Sequence, residues 1–388
     1  MKFVIIGTAY PLRGGIAHYV SLLYRSLVAR GHEVKVITFS RQYPKILFPG
    51  KSQDEKGDAG IPIESIQVID SINPLTWGKA GKLAAEFEPD GVIFKFWLPF
   101  FAPAYGMIAR TIKKVMRKKG KKTNIIFIAD NVIPHEKRPG DRAFTNYAFK
   151  AVDNFIVQSS AVERDLKIVK PDAKFVRLEH PVYEIFGKTL PMNNVRAKLG
   201  IADDAQVLLF FGFIRKYKGL DIILRAMPEL IKKYPKLVLV VAGESYSGED
   251  DFRALIKELA IPDANLKLFT DYIPNDDVPL YFSAANVAVL PYRSATQSGI
   301  VQIAYNFDLP VIATDVGGLA EIVIDGVCGL IAPQPKPEAI AKEIVNYFDN
   351  DLEAKLRNGV REEKKKYSWE SFAIGVEEIV NSQTRSQQ

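Results

Sequence analysis

The chain alternates between short apolar runs and longer stretches whose apolar residues recur at helical spacing. "KFVIIG" (2–7), "EVKVITF" (33–39), "GVIFKF" (91–96), "NIIFIAD" (124–130) and "NFIVQ" (154–158) are β-branched or aromatic runs of strand length, separated by helix-like segments. This alternation predicts a parallel sheet covered by helices on both faces. The pattern then restarts with "QVLLFFGF" (206–213), "KLVLVVAG" (236–243), "NLKLFT" (265–270), "NVAVLPY" (286–292) and "PVIAT" (310–314). Two Rossmann-like α/β domains follow. The Pro-, Gly- and Asn-containing stretch 179–200 reads as the connection between them rather than as an element. The helical spacing of "SWESFAIGVEEIVNSQ" (368–383) comes after the second series is complete, which predicts a helix crossing back onto the first domain. The expected division is 1–185 plus 368–388, and 186–367.

Composition narrows the classes. With 388 residues, 47% of them hydrophobic, the chain can bury two cores. Its single cysteine, Cys328, excludes an internal disulfide, and no Cys/His cluster has zinc-finger spacing. The apolar start "MKFVIIGTAY" lacks the length and cleavage region of a secretory signal, and no later apolar run approaches the roughly 20 residues that span a bilayer. The expectation is a cytoplasmic protein, peripheral at most on the inner face of the cell membrane. A formal charge of +7 permits anionic partners without choosing among them.

The candidate chemistry lies where the runs end, because ligands of open α/β sheets sit beyond the carboxyl ends of their strands. After the first strand, "GTAYPLRGGIAHYV" (7–20) places Gly14 and Gly15 at a helix start, where backbone amides can approach a bound group. A plain strand-to-helix turn explains the same glycines. Neither GxGxxG nor GxxxxGK[ST] is present, which argues against an ordinary dehydrogenase or P-loop NTPase. In the second series, "FGFIRKYKGLD" (211–221) puts Arg215 and Lys218 between a strand and a helix. Alone, they read equally as a solvated basic turn. Thr296, Gln297, Ser298, Gly299 and Ile300 form a small polar helix start after another strand, whose amides suit a phosphate. Glu321, after the turn "DVGG", suits sugar or ribose hydroxyls. Phosphate beside hydroxyls points to a nucleotide-sugar.

Along nearly the whole chain these segments resemble the GT4-type (group 1) retaining glycosyltransferases of GT-B fold. "PLRGGIAHYVSLLYRSLVARGHEVKVITF" is similar to that family's glycine loop and helix, "FFGFIRKYKGLDIILRA" to its phosphate-binding motif, and "DLPVIATDVGGLAE" to its "GxPVVATxxGGxxE" segment. The resemblance implies two Rossmann-like domains with sheets facing across a cleft, an N-terminal acceptor domain and a C-terminal donor domain. It implies transfer with retention from a UDP- or GDP-sugar to a hydroxyl of a glycan or lipid-linked glycan, as in cell-surface polysaccharide or glycolipid assembly. "VVAGE" and "FTDYI" resemble the loops framing the base, which makes Gly243, Glu244 and Ile273 donor contacts. Asp130 stands where the family carries a histidine; with His135, Arg215, Lys218 and Glu321 it forms the implied catalytic set, and Asn131 and Glu136 face the acceptor.

Two further departures stand out. Phe213 occupies the family's arginine position, leaving Arg215 to act from two residues later, and Ala295 and Ile303 replace the glutamates of its E-x7-E motif. No DxD-like pair stands where a metal is expected, so no cofactor is implied and the cations take a metal's place at the leaving diphosphate. Residues 95–122 join Trp97, Phe100, Phe101 and Tyr105 to eight Lys or Arg from Arg110 to Lys122. The bolder reading is contact with an anionic membrane, the plainer one a buried aromatic stretch with a solvated helix end. No helix-turn-helix, RRM-like or zinc pattern supports nucleic acid. Two other functions fit the scaffold: a nucleotide-sugar epimerase, and a non-catalytic nucleotide-sugar-binding partner, the latter motivated by the missing glutamates.

Overall fold

The computed structural model describes residues 1–44, 62–134, 138–245 and 249–385. The chain forms two compact units, Met1–Pro181 with Tyr367–Gln388, and Val182–Lys366.

The first unit is a seven-stranded sheet, in chain order β1 Lys2–Ile6, β2 Glu33–Arg41, β3 Ile66–Asp70, β4 Gly91–Phe96, β5 Asn124–Ala129, β6 Asn154–Val157 and β7 Phe175–Arg177. All pairings are parallel and the spatial order is β3-β2-β1-β4-β5-β6-β7. Its helices are α1 Gly15–Ala29, α2 Pro74–Glu86, α3 Ala102–Lys118, α4 Asp141–Phe149 and α5 Ser160–Val169. Central strands β4 and β5 are buried along their whole length, which is why they read as unbroken apolar runs. The order reverses between β1 and β4, so the carboxyl ends of those strands flank the crevice where such sheets bind ligands.

The second unit opens with α6 Met192–Lys198 and continues as β8 Gln206–Phe211, α7 Leu220–Lys233, β9 Leu237–Ala242, α8 Glu249–Glu258, β10 Leu266–Phe269, α9 Val278–Ala284, β11 Val287–Leu290, α10 Gly299–Asn306, β12 Val311–Thr314, α11 Leu319–Ile322, β13 Gly329–Ala332, α12 Pro337–Asp349 and α13 Glu353–Glu363. Its parallel sheet runs β10-β9-β8-β11-β12-β13 and reverses between β8 and β11. The last helix, α14 Trp369–Arg385, belongs to the first unit. There Glu377 accepts hydrogen bonds from Arg30 and pairs with His32, and the Ser26 hydroxyl donates to the Trp369 carbonyl (2.9 Å).

Two features differ from the sequence reading, and a third decides for the plainer of its two readings of 95–122. Strands β3, β7 and β13 fall outside the ten runs. Part of 179–200 is the helix α6, held by the buried Arg196 donating to the carbonyls of Ala284 (3.0 Å) and Asp203 (2.5 Å) and to Asn286 (2.9 Å). The aromatics of 97–105 are core rather than surface. Phe101 and Tyr105 are fully buried, and Trp97 and Phe100 pack against the same cluster, because α3 turns its apolar stripe onto the sheet. The basic end of α3 remains in solvent, with Lys114, Arg117 and Lys118 exposed, while Lys113 pairs with Asp153 and Lys119 with Glu88.

Candidate active site

In the second unit, three glycines draw together the loops that leave β8, β9, β11 and β12. Gly243 follows β9 with φ of 145°, and a side chain there would run into the Gly212 carbonyl. Gly219 ends the turn after β8 with φ of 69°, against the Pro291 carbonyl, and Gly317 follows β12 with φ of 59°, against the Ala295 carbonyl. Such positive φ angles suit glycine alone at little cost. Backbone bonds fix the same register: Gly212 N donates to Ala242 O (2.8 Å), Ile214 N to Glu244 O (3.0 Å) and Ser245 N to Thr270 O (3.3 Å).

Lys218 is carried into this frame by the turn Lys216–Lys218 and is only 8% exposed. Its Nζ lies 2.9 Å from the point where a Gly212 Cβ would stand, and the Ile300 Cδ1 lies 3.0 Å from that same point. The ammonium therefore meets the end of β8 and the first turn of α10. Burial, and then the nearby charge of Arg215, lower its pKa from 10.5 to about 8. Ser298 caps α10, its hydroxyl accepting from Ile300 N (3.3 Å). Two cations and a helix N-terminus thus converge where the sheet order reverses, an arrangement suited to an anion.

The other sequence candidates of this unit lie in the segments that follow β8, β9, β10, β11 and β12. Arg215 is half-buried, Thr296 and Ser298 are buried, and Gln297, Gly299 and Ile300 are half-buried. Glu244 is buried beside Gly243, Ile273 is half-buried after β10, and Glu321 lies half-buried in the short α11 behind the Gly317 turn. Ala295 and Ile303, the replacements for the E-x7-E glutamates, are buried. Lys216 is exposed, and Arg293 is spent on structure, with its backbone bonded to Tyr217 and its guanidinium to Asp221.

In the first unit Gly14 forms the N-cap of α1 with φ of 105°, and Gly15 is exposed. Asp130 directly follows β5 and joins a polar cluster that the sequence reading did not find. Lys95, inside β4, donates to Asp130 Oδ1 (2.6 Å) and Gln158 Oε1 (3.3 Å), with its Nζ 3.5 Å from the centre of the Tyr19 ring. Gln158 Nε2 donates to the Tyr19 hydroxyl (3.0 Å), and His180 meets the Tyr19 ring edge-on at 5.2 Å. Burial and then the Lys95 charge lower the His180 pKa to about 3. The signal was one lysine inside an apolar run, since a charge buried in a strand requires a partner. Asn131 donates to the Trp97 carbonyl (3.4 Å). His135 and Glu136 lie outside the described residues. Among the described residues no group of three His, Cys, Asp or Glu could hold a metal ion, and no helix is long and apolar enough to cross a membrane.

The glycosyl transferases group 1 family matches residues 191–367, almost the whole second unit. That segment, residues 191–367, carries the pattern of the glycosyl transferases group 1 family. Outside the matched segment the likeness continues: D-inositol 3-phosphate glycosyltransferase of Acidothermus cellulolyticus is 28% identical, over 94% of this chain and 84% of that protein. Lipopolysaccharide 1,2-N-acetylglucosaminetransferase of Salmonella typhimurium is 30% identical over 47% of this chain and 52% of its own length. The crystal structure of Anabaena HepE in complex with UDP superposes with a TM-score of 0.75 at 18% identity, covering 98% of this chain and 100% of that one. That likeness shows the fold, which is of GT-B architecture.

Proposed function

We propose that this glycosyltransferase moves a hexosyl group, with retention, from a nucleotide-diphosphate sugar to a hydroxyl of a glycan or glycolipid. The observation that carries this reading is the buried Lys218 ammonium, set against Gly212 and the first turn of α10 with Arg215 beside it. A cation hidden from water is costly unless an anion meets it. A diphosphate supplies two charged groups, and the negative charge that grows on it as the glycosidic bond breaks is stabilised by Lys218, Arg215 and the α10 amides without reorganisation. The leaving phosphate oxygen then takes the acceptor's proton. In this reading the cations do the work of a metal, Glu321 holds donor hydroxyls, Gly243, Glu244 and Ile273 frame the base, and Asp130 with Asn131 stands by the reacting sugar and acceptor. The UDP bound to HepE supports a uridine donor as the first to try.

For the acceptor, the names of the inositol and lipopolysaccharide relatives support a hydroxyl on a polar headgroup or surface glycan. A membrane surface is consistent with the face that α2 and α3 form. Leu75, 84% exposed, borders a groove of about 520 Å³ with Lys79, Lys82 and Met107. Gly81 of α2 packs on Thr111 of α3, and Lys114 and Lys118 follow Thr111 on the same helix row.

Incubation with UDP-, GDP- and ADP-sugars in EDTA, with detection of slow nucleoside diphosphate release, tests the reading. Release from one donor class, with the anomeric configuration kept in any transferred product, is expected. Tight binding with no release from any donor would favour a non-catalytic binder, and a changed sugar with the diphosphate bond intact would favour an epimerase.

A further inference from the structure

The Lys95 cluster is not used by the chemistry above. Strand β4 runs Val92, Ile93, Phe94, Lys95, Phe96, every residue buried, in the middle of a sheet whose helices cover both faces. Stability alone does not call for a lysine there. A buried ion pair usually gains nothing over an apolar pair of the same size, because desolvation of the two charges offsets their attraction. The three groups around the ammonium come from three different elements: Asp130 after β5, Gln158 after β6 and Tyr19 on α1. They lie at the carboxyl ends of neighbouring strands, next to the reversal between β1 and β4, where Gly7 at the end of β1 leaves 3.3 Å between its missing Cβ and the Lys95 Cβ. The exposure of the pair is unequal. The Lys95 side chain retains 2% and the Asp130 side chain 8%, so Asp130 is the less enclosed member of the pair.

We propose that Lys95 is a positioning residue that keeps the Asp130 carboxylate ionised and fixed at the end of β5, so that it accepts a hydrogen bond from a substrate hydroxyl. This rests on the transferase reading. An ionised carboxylate only accepts hydrogen bonds, whereas a protonated one also donates, so its charge state decides whether a hydroxyl of a sugar or a phosphate oxygen is welcome beside it. The groups that face the pair from other elements are Tyr19, Gln158 and His180. His180 stays neutral at physiological pH, and its Nδ1 is engaged by the Pro181 carbonyl at 2.8 Å, so it does not compete with Lys95 for the carboxylate. Gln158 is held in turn by Tyr19, which orients its carbonyl oxygen toward the ammonium.

Three proteins test this: wild type, Lys95→Met, and Lys95→Met with Asp130→Asn. For each, kcat/KM against pH from 5 to 9, nucleoside diphosphate affinity and Tm are measured. Removing the ammonium takes the nearest opposite charge away from a buried carboxylate, which raises its pKa. Lys95→Met is expected to lose about a hundredfold in kcat/KM at pH 7, as when one preorganised polar contact is removed. Its acid limb should shift upward to about pH 7 or above, with recovery toward pH 9, while UDP affinity stays within about twofold. The double variant, with a neutral pair, should regain Tm without regaining turnover. A Lys95→Met profile with an unmoved acid limb, or a double variant that regains both Tm and turnover, would overturn the proposal and leave the pair a structural one. If Lys95→Met fails to fold, the double variant carries the test. Infrared difference spectra separate this from failure of the transferase reading, since they need no turnover. A protonated-carboxyl stretch at pH 7 in Lys95→Met that is absent from wild type and from the double variant supports the positioning role, and an ionised Asp130 in both proteins that retain it refutes it.

Discussion

Lys218 carries a charge the folded chain would rather shed. Its pKa is about 8 when folded against 10.5 when free, so between those values the unfolded chain holds a proton that the folded one lacks, and stability rises with pH. Below pH 8 both states are protonated and the full cost of burying the ammonium is felt, on the order of 3 kcal/mol. Lys218→Met is therefore expected to raise the Tm of the ligand-free protein at pH 7, and a drop of several degrees would show that the ammonium is already well compensated. A bound diphosphate favours the charged form, so UDP affinity should be flat up to pH 8 and fall above it, which calorimetry at pH 7 and pH 9.5 would resolve. His18 and His180 act with the same sign in the acid range. Burial lowers them from 6.5 to about 4 and about 3, so the unfolded chain takes up protons first and stability falls as pH drops below 6.5. The expected slope for each is up to about 1.4 kcal/mol per pH unit, and thermal melts from pH 7 to 5 should show it flattened in His180→Gln. Arg215 and Lys218 could be picked out in the sequence as cations between a strand and a helix, a place that a solvated basic turn explains as well. Lys95, Gln158 and Tyr19 could not, since their meaning depends on three segments far apart in the chain.

The elements show the same division between local and long-range information. Among the ten legible strands, β4, β5, β9, β11 and β12 are buried along their whole length and almost all apolar. β3 reads "IQVID" with its first two residues exposed, β7 has three residues, and β13 reads only "GLIA", so these three leave too weak a signal for periodicity, whereas the edge strand β10 was legible. α6 was hidden by its own composition and exists because Arg196 reaches the carbonyls around Ala284. In α3 the aromatic and basic residues suggested one surface, but 3.6-residue spacing sends them to opposite sides. At this scale Gly317→Ala is expected to disrupt the approach of the β12 loop to Ala295, costing at least about 1–3 kcal/mol because a side chain is forced into both a left-handed conformation and a carbonyl oxygen. Nucleotide affinity should fall with it; an alanine variant with unchanged Tm and affinity would remove Gly317 from the frame of the site. α14 offers a second check. Glu377→Gln weakens its bonds to Arg30 and His32 and should lower the stability of the first unit by about 1–2 kcal/mol, read as earlier hydrogen exchange in α1 and α14 with the second unit unchanged.

For the molecule as a whole, the GT-B architecture and the group 1 match over residues 191–367 support the transferase reading. If the α2–α3 face meets an anionic bilayer, vesicle co-sedimentation should fade as the Debye length shrinks from about 10 Å at 0.1 M salt to about 3 Å at 1 M. Charge reversal at Lys114, Arg117 and Lys118 should remove that salt-sensitive part, and Leu75→Ser any remainder. Binding that ignores acidic lipid at low salt would instead point to an acceptor in solution. The claim on which the rest depends is that the basic mouth of the second unit holds a nucleoside diphosphate. Titration calorimetry with UDP and with GDP in EDTA, on wild type, Arg215→Ala and Lys218→Met, addresses it directly. The account predicts binding of at least one of them to wild type and a loss of roughly 1.5–3 kcal/mol for each variant, about 10- to 150-fold in affinity. Wild-type affinity retained by both folded variants would contradict it.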